Sequence, residues 1–329
     1  MFDLRSLGYL FAAALVAFFV VYFTTPSLIR RLKKEGLNGV DLHKVDRPMI
    51  PRMGGLAIML GYVSGALLLL PVFSQIYVAL TAILSSILMV AMLGIIDDVL
   101  DLSQATRTLL PLIASLPLTI SVSQDRVMLF PIIGFVDLGL AYPLVVVPIG
   151  FVACANLTNM LAGFNGLEAG MGLIASAALF VSAILLGSTK GAIILSPMIG
   201  ASLAFLIYNR YPARIFPGNS GTYAIGATIA AAVIVGDMEV LGVICMTPFV
   251  VEFFLKAIGR FRGECFGVPA SDGTLLPPER TASLTHLAMR LKRLKEKELV
   301  LWFLVVEAAF GSIAILVAHY NLYYFLFPA

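Results

Sequence analysis

Ten stretches of about 20 predominantly apolar residues follow one another along this chain, each long enough to cross the hydrocarbon core of a bilayer. Their soft edges fall at 7–29, 54–73, 77–98, 106–123, 142–162, 167–187, 190–208, 220–236, 239–258 and 298–324. The fourth is the weakest, because Pro111 and Pro117 interrupt it. Proline is tolerated in a membrane helix where neighbours satisfy the freed carbonyls. Composition closes off a water-soluble fold: only 12% of residues are charged and 60% are hydrophobic, against about a quarter charged in a soluble domain. The first run shows no small-residue cleavage site and is expected to stay as an anchor.

Lysine and arginine set the direction of the spans. With the start of the chain outside, 19 of the 22 basic residues lie on the inner side, and only Arg5, Arg126 and Lys190 stay outside. The expected fold class is an all-α integral membrane protein with ten transmembrane helices and both termini outside, forming one domain over residues 1–329. Its inner loops are expected at 30–53, 99–106, 159–168, 209–219 and 259–297. Between the fourth and fifth spans, VMLFPIIGFVDLGL is broken by Pro131 and Gly134 and reads as a short hairpin on the membrane. The segment HLAMRLKRLKEKELV reads as a basic amphipathic helix on the anionic inner leaflet. A net charge of +3 gives no ground for a nucleic-acid partner. Cys154, Cys245 and Cys265 are too few and scattered for a disulfide framework, and the first two read as buried thiols in apolar runs.

Polar groups at membrane depth are costly, which makes them functional candidates, and here they gather at inner ends of spans. GIIDDVLD places Asp97, Asp98 and Asp101 within about one helical turn. Such crowding repels unless a cation or protons intervene, and magnesium takes carboxylate oxygens together with substrate phosphates. The bland alternative is a solvated acidic helix end. ANLTNMLAGFNGLEAG supplies Asn156, Asn159 and Asn165 as carboxamides, Gly163 and Gly166 for close backbone approach, and then Glu168. Ordinary turn chemistry uses the same residues.

YNRYPARIFPGNSGTY offers Arg210 and Arg214 for phosphate, Phe216 as a stacking face, and a glycine-rich helix start that attracts anions. It also reads as a positive-inside loop with Asn219 as a helix cap. GLNGVDLHKVDRPMIPRMGG mixes Asp41, His43, Lys44, Asp46, Arg47 and Arg52, and a lone His43 in such a loop reads as solvated. Glu252 and Glu307 are the other acidic residues within spans, and they are expected near span ends. Metalloprotease, P-loop, dinucleotide and serine or cysteine nucleophile signatures do not occur.

In this order, DLHK…RPMIPRMGG, GIIDDVLDL…LLPLIASLPL, NLTNMLAGFNGLEAG and YNRYPARIFPGN resemble the polyprenyl-phosphate N-acetylhexosamine-1-phosphate transferase superfamily, over about residues 36–223. The likeness is greatest to the dolichyl-phosphate GlcNAc-1-phosphotransferases of eukaryotes and their archaeal relatives. NMLAGFNGLEAG is its most specific piece.

The resemblance implies one transmembrane transferase domain with a cytoplasmic groove. A UDP-sugar and a polyprenyl or dolichyl phosphate would there give the lipid diphosphate sugar and UMP, the first step of lipid-linked oligosaccharide assembly. It implies Mg2+, with Mn2+ as an alternative, and the bilayer as surroundings; a homodimer is left open. The membrane would be the plasma membrane of a prokaryote or the endoplasmic reticulum of a eukaryote. Carried over by motif, Asp97 and Asp98 match the catalytic aspartates, and Asp97, Asn159 and Asn219 match metal-binding positions. Asn165 and Gly163 match the uridine-contacting turn, Phe216 the uracil-stacking aromatic, and Arg107, Arg214 and Lys44 substrate-binding cations.

Three departures stand out. Asn219 replaces a metal-binding Asp and gives up a full charge. Arg107 stands where eukaryotic relatives have Lys, a swap that changes donor geometry. The eukaryotic HRxPR-type sugar loop is missing, leaving Arg260, Arg262 and FGVPASDG as substitutes. The rivals to transfer are a non-catalytic lipid-phosphate binder, which Asn219 suggests, and a transporter or flippase, for which polar residues at the bilayer midplane are expected.

Overall fold

A computed structural model describes residues 2–130, 134–261, 264–320 and 322. Among the described residues, thirteen α-helices run in chain order: α1 Leu4–Lys34, α2 Gly55–Leu69, α3 Tyr77–Leu100, α4 Gln104–Ala114, α5 Leu116–Ser121, α6 Val147–Met160, α7 Leu167–Leu186, α8 Thr189–Asn209, α9 Gly218–Val235, α10 Glu239–Cys245, α11 Thr247–Ile258, α12 Leu284–Leu291 and α13 Glu296–His319. Three antiparallel two-stranded hairpins join them: β1 Asn38–Val40 with β2 Met49–Pro51, β3 Val127–Phe130 with β4 Gly134–Asp137, and β5 Val268–Pro269 with β6 Leu275–Leu276. The described residues are thus largely but not wholly α-helical.

Among the described residues, seven helices are long and apolar enough to cross a membrane, and the α10–α11 pair, bent by 65°, would make an eighth. Helix α9 is the centre of the bundle: 89% of its apolar window is buried, against 22% for α1 at the periphery. The cause is its sequence, GNSGTYAIGATIAAAVIV, whose small side chains let neighbours come close. Gly226, for instance, faces the Cys154 carbonyl of α6 where a Cβ would stand. Helices α3 and α6 lie against α9, α1 lies against α2 and α8, and α7 lies between α8 and α13.

Lipid tails are as apolar as leucine, so association of such helices rests on close packing and interhelical hydrogen bonds worth about 0.6 kcal/mol each. Three of these bonds are the Thr158 hydroxyl to the Thr222 carbonyl at 2.8 Å, the Ser196 hydroxyl to the Leu10 carbonyl at 2.5 Å and the Tyr208 hydroxyl to the Tyr22 carbonyl at 2.7 Å.

Several expected spans take a different form. The second apolar run yields a helix of 15 residues, about 22 Å long, so it falls short of a full crossing by itself. The fourth divides at Ser115 into α4 and α5, and the freed Leu118 amide donates to the Ser86 hydroxyl of α3 at 2.9 Å. The ninth bends at Met246. The tenth begins at Glu296, and the end expected for it passes beyond the described residues.

The basic segment from His286 to Val300 is not one helix. Lys292 is extended, and Leu294 accepts a hydrogen bond from Leu275 of β6 at 2.9 Å, so the chain breaks between α12 and α13. Glu307 is buried in the middle of α13 rather than near its end. Pro131 of the expected surface hairpin and Arg262 lie outside the described residues.

Candidate active site

The C-terminal ends of α1, α3, α6 and α8 and the N-terminal ends of α2, α7, α9 and α13 meet at one end of the bundle. Polar residues that are far apart in sequence come together there. Helix α3 delivers Asp97 and Asp98, both buried, onto the first turn of α9. Asp98 accepts the backbone N–H of Asn219 at 2.8 Å, and both the N–H and hydroxyl of Ser220 at 3.2 and 3.1 Å. The unsatisfied amides that open a helix attract an anion, and here that anion is the protein's own carboxylate. Gly218 makes the approach feasible: its φ is +69°, and a Cβ there would stand 2.5 Å from an Asp98 oxygen.

Each oxygen of Asp97 accepts two hydrogen bonds. Oδ1 takes the Leu102 N–H and Arg107 Nε, both at 2.9 Å, and Oδ2 takes Asn219 Nδ2 at 2.8 Å and the Tyr223 hydroxyl at 3.3 Å. Arg107 also pairs with the exposed Asp101. Asn159 closes the other side, its side-chain oxygen accepting from the Thr222 hydroxyl of α9 at 2.9 Å. Asn156 bonds back to the Val152 carbonyl within α6 and takes no part.

The expected metal ligands are thereby gathered, with one difference. Asn219 turns an amide nitrogen, not its oxygen, towards Asp97, because a carboxylate needs a donor. Two buried carboxylates, Asp97 ion-paired with Arg107 and Asp98 held by the start of α9, plus the Asn159 carboxamide oxygen, form a hard-oxygen donor set that fits a magnesium-type cation.

The Gly163–Asn165 turn is built differently. Gly163 has φ +106°, its N–H donates to Glu168 at 2.5 Å, and the Phe266 ring lies where a Cβ would be. This brings the FGVPASDG segment over the turn. Its backbone is pinned by α12, where the Thr285 hydroxyl donates to the Cys265 carbonyl and His286 Nε2 meets the Phe266 carbonyl at 3.2 Å. Asn165 is 1% exposed and its side chain is fully engaged. Nδ2 donates to Asp41 at 3.1 Å and to Glu296, and Oδ1 accepts from the Ala213 N–H at 2.5 Å. The side chain of Asn165, expected in the uridine-contacting turn, is thus held by protein partners.

The remaining candidates separate. Lys44 pairs with Asp41 and with Glu296, and lies 4.8 Å from the Tyr211 ring centre. Phe216 is half-buried beside Gly39, with its own backbone bonded to Pro51 and Gly54. Arg214 is exposed, over the Tyr208 ring and within 3.2 Å of the Ile207 carbonyl. His43 overturns its expected solvated reading. It is buried and stacked on Phe164 with centroids 4.0 Å apart, and burial pushes its pKa down to about 4.

Ser220 belongs to the anion-attracting helix start expected from the sequence, whereas Thr222, Tyr223 and Glu296 were not foreseen as site residues. Thr222 and Tyr223 sat just beyond that start, where a helical register would have turned them towards α6 and α3. Glu296 looked like one more charge in a basic segment, and nothing in its spacing set it apart.

The fold and this site define a class: a multi-pass membrane protein with one acidic, carboxamide-lined site at one end of its bundle. The family model described as glycosyl transferase family 4 matches residues 80–237. A Saccharolobus solfataricus protein, provisionally named UDP-N-acetylglucosamine–dolichyl-phosphate N-acetylglucosaminephosphotransferase, is 39% identical over 92% of this chain and 94% of its own. A Sulfolobus acidocaldarius protein with the same provisional name is 36% identical over 95% and 97%. The Dictyostelium discoideum protein of that name is 24% identical over 93% and 87%. The chain belongs to glycosyl transferase family 4.

Proposed function

We propose that this chain transfers N-acetylglucosamine-1-phosphate from UDP-N-acetylglucosamine to dolichyl phosphate or a related polyprenyl phosphate, releasing UMP. The observation that carries the reading is the meeting of Asp97, Asp98 and Asn159 on the start of α9, in a chain 39% identical to a relative bearing that name. The acceptor phosphate has its second pKa near 6 and is largely dianionic at pH 7, so it needs no strong base to attack the β-phosphorus. Two anionic reactants repel, and the site's task is to hold them together.

Arg107 contributes a fixed charge beside Asp97. Asp98 locks α9 in register, and the Gly163–Asn165 turn and Phe216 receive the nucleotide. Asp97, Asp98 and Asn159 would hold Mg2+, which when bound supplies positive charge to the diphosphate. The site end faces the cytoplasm in this reading, supported by the inward bias of Lys and Arg. Ten crossings with both termini outside follow if α2, the α4–α5 pair and the α10–α11 pair each count as one, with the β3–β4 hairpin on the outer surface.

The test is purified protein with Mg2+, dolichyl phosphate and labelled UDP-N-acetylglucosamine. UMP and a lipid-linked sugar are expected to form together, and only when the lipid is present. Nucleotide hydrolysis without lipid product, or no turnover at all, rejects the reading.

A further inference from the structure

We infer that Glu296, the first residue of the last long helix, is a positioning residue that fixes the Gly163–Asn165 turn for the nucleotide; this deepens the transferase reading and rests on it. Glu296 is buried although it opens a helix beside a run of lysines and arginines. Its two carboxylate oxygens reach two different loops. Oε1 accepts the Asn165 backbone N–H at 2.8 Å and the Asn165 side-chain amide, and Oε2 accepts from Lys44 Nζ at 3.4 Å. Lys44 in turn pairs with Asp41, which accepts from Asn165 at 3.1 Å. Asn165 Oδ1 then takes the Ala213 N–H, so four separate chain segments are tied through one carboxylate and one carboxamide.

The turn needs this external hold. Gly163 and Gly166 both have positive φ, and the Glu168 bond to Gly163 spans only five residues. That local bond shapes the turn but cannot place it against the Phe216 segment. The bonds of Asn165 to Asp41, Ala213 and Glu296 are what reach across to other segments. The neighbouring His43 ring, with Nδ1 4.0 Å from Glu296, is kept neutral at pH 7 by burial, so Lys44 is the cation that faces this carboxylate. The arrangement therefore ties nucleotide binding to the start of the last span.

The experiment compares Glu296→Ala and Glu296→Gln with the unaltered protein, reading the Kd for UDP without lipid and the full steady-state constants with both substrates varied. Removing the carboxylate leaves the Asn165 donors unpaired, and the Kd for UDP and the KM for the UDP-sugar are expected to rise about tenfold, far more than kcat or the KM for dolichyl phosphate. Glu296→Gln, which keeps an acceptor for the Asn165 N–H but loses the Lys44 ion pair, is expected to fall between the two. It carries the test if the alanine variant does not accumulate. Unchanged UDP binding in the variants, or an equal decline of every constant with the melting temperature, overturns the inference. Should the unaltered protein bind UDP yet transfer nothing, the transferase reading fails while the UDP comparison still judges Glu296.

Discussion

The aspartate pair and the Asn165 turn lie at the same end of the bundle, and both are buried polar clusters, but they spend their hydrogen bonds differently. Asp97 and Asp98 are carboxylates held by donors from other elements: two backbone amides of α9, one of the loop after α3, the Ser220 and Tyr223 hydroxyls, the Asn219 amide and Arg107. Carboxylates can exchange such donors for a cation without leaving a donor stranded in hydrocarbon, because several of these groups border solvent. The Asn165 turn is closed: its side chain is 1% exposed and each polar atom is matched by a protein partner. One cluster is prepared for exchange during a reaction, and the other is a fixed joint.

Perturbing the contact between α3 and α9 should therefore have the largest effect. Gly218→Ala places a methyl group against Asp98 at a positive φ. Transfer is expected to fall roughly 10²-fold, the cost of a misplacement of about 1 Å at a reacting centre, with UDP binding preserved. A fully active variant would mean that Asp98 and α9 need not touch.

Asn165→Leu tests the other cluster. It leaves the Ala213 N–H without its partner and takes one donor each from Asp41 and Glu296, so stability in detergent should drop by about 1–3 kcal/mol, together with weaker UDP binding. Loss of UDP binding at unchanged stability would show instead that the side chain is free to meet the base, and the contrast between joint and exchangeable pair would dissolve.

Asn219→Asp sharpens the comparison from the aspartate side. It removes the donor to Asp97 and adds a third carboxylate, so thermal stability in chelator should fall and be restored by Mg2+ more strongly than in the unaltered protein. An identical Mg2+ response would place cation binding elsewhere.

The smallest effect is at His43. Its folded pKa of about 4 lies below the ordinary 6.5, so its contribution to stability is present above pH 6.5 and is lost as the pH falls from there towards 4. His43→Gln should be less sensitive to acid in that window. An unaltered acid transition would remove this group from the account.

The membrane-spanning helices were legible because long apolar runs allow few other forms in lipid. The exceptions are also physical. The run holding Pro111 and Pro117 breaks at Ser115, and the ninth breaks just before Pro248, where freed backbone groups can be satisfied by neighbouring helices. The meeting of Asp97 and Asp98 with Asn219 was legible from motif order, since all three were expected at inner ends of spans. Two things were not. The orientation of the Asn219 amide is decided by the charge of its partner, not by its own identity. The Glu296 joint depends on where a helix starts, and that start was obscured by a basic segment whose amphipathic pattern runs on through the break at Lys292–Lys295.

Asp98→Asn, nearly isosteric and assayed for UMP release with dolichyl phosphate and Mg2+ while UDP binding is followed separately, puts the aspartate pair under the most direct test. Turnover is expected to disappear into background with nucleotide affinity retained. Turnover at the rate of the unaltered protein would contradict the account, because the chemistry would then have no need of the carboxylate on which α3 and α9 meet.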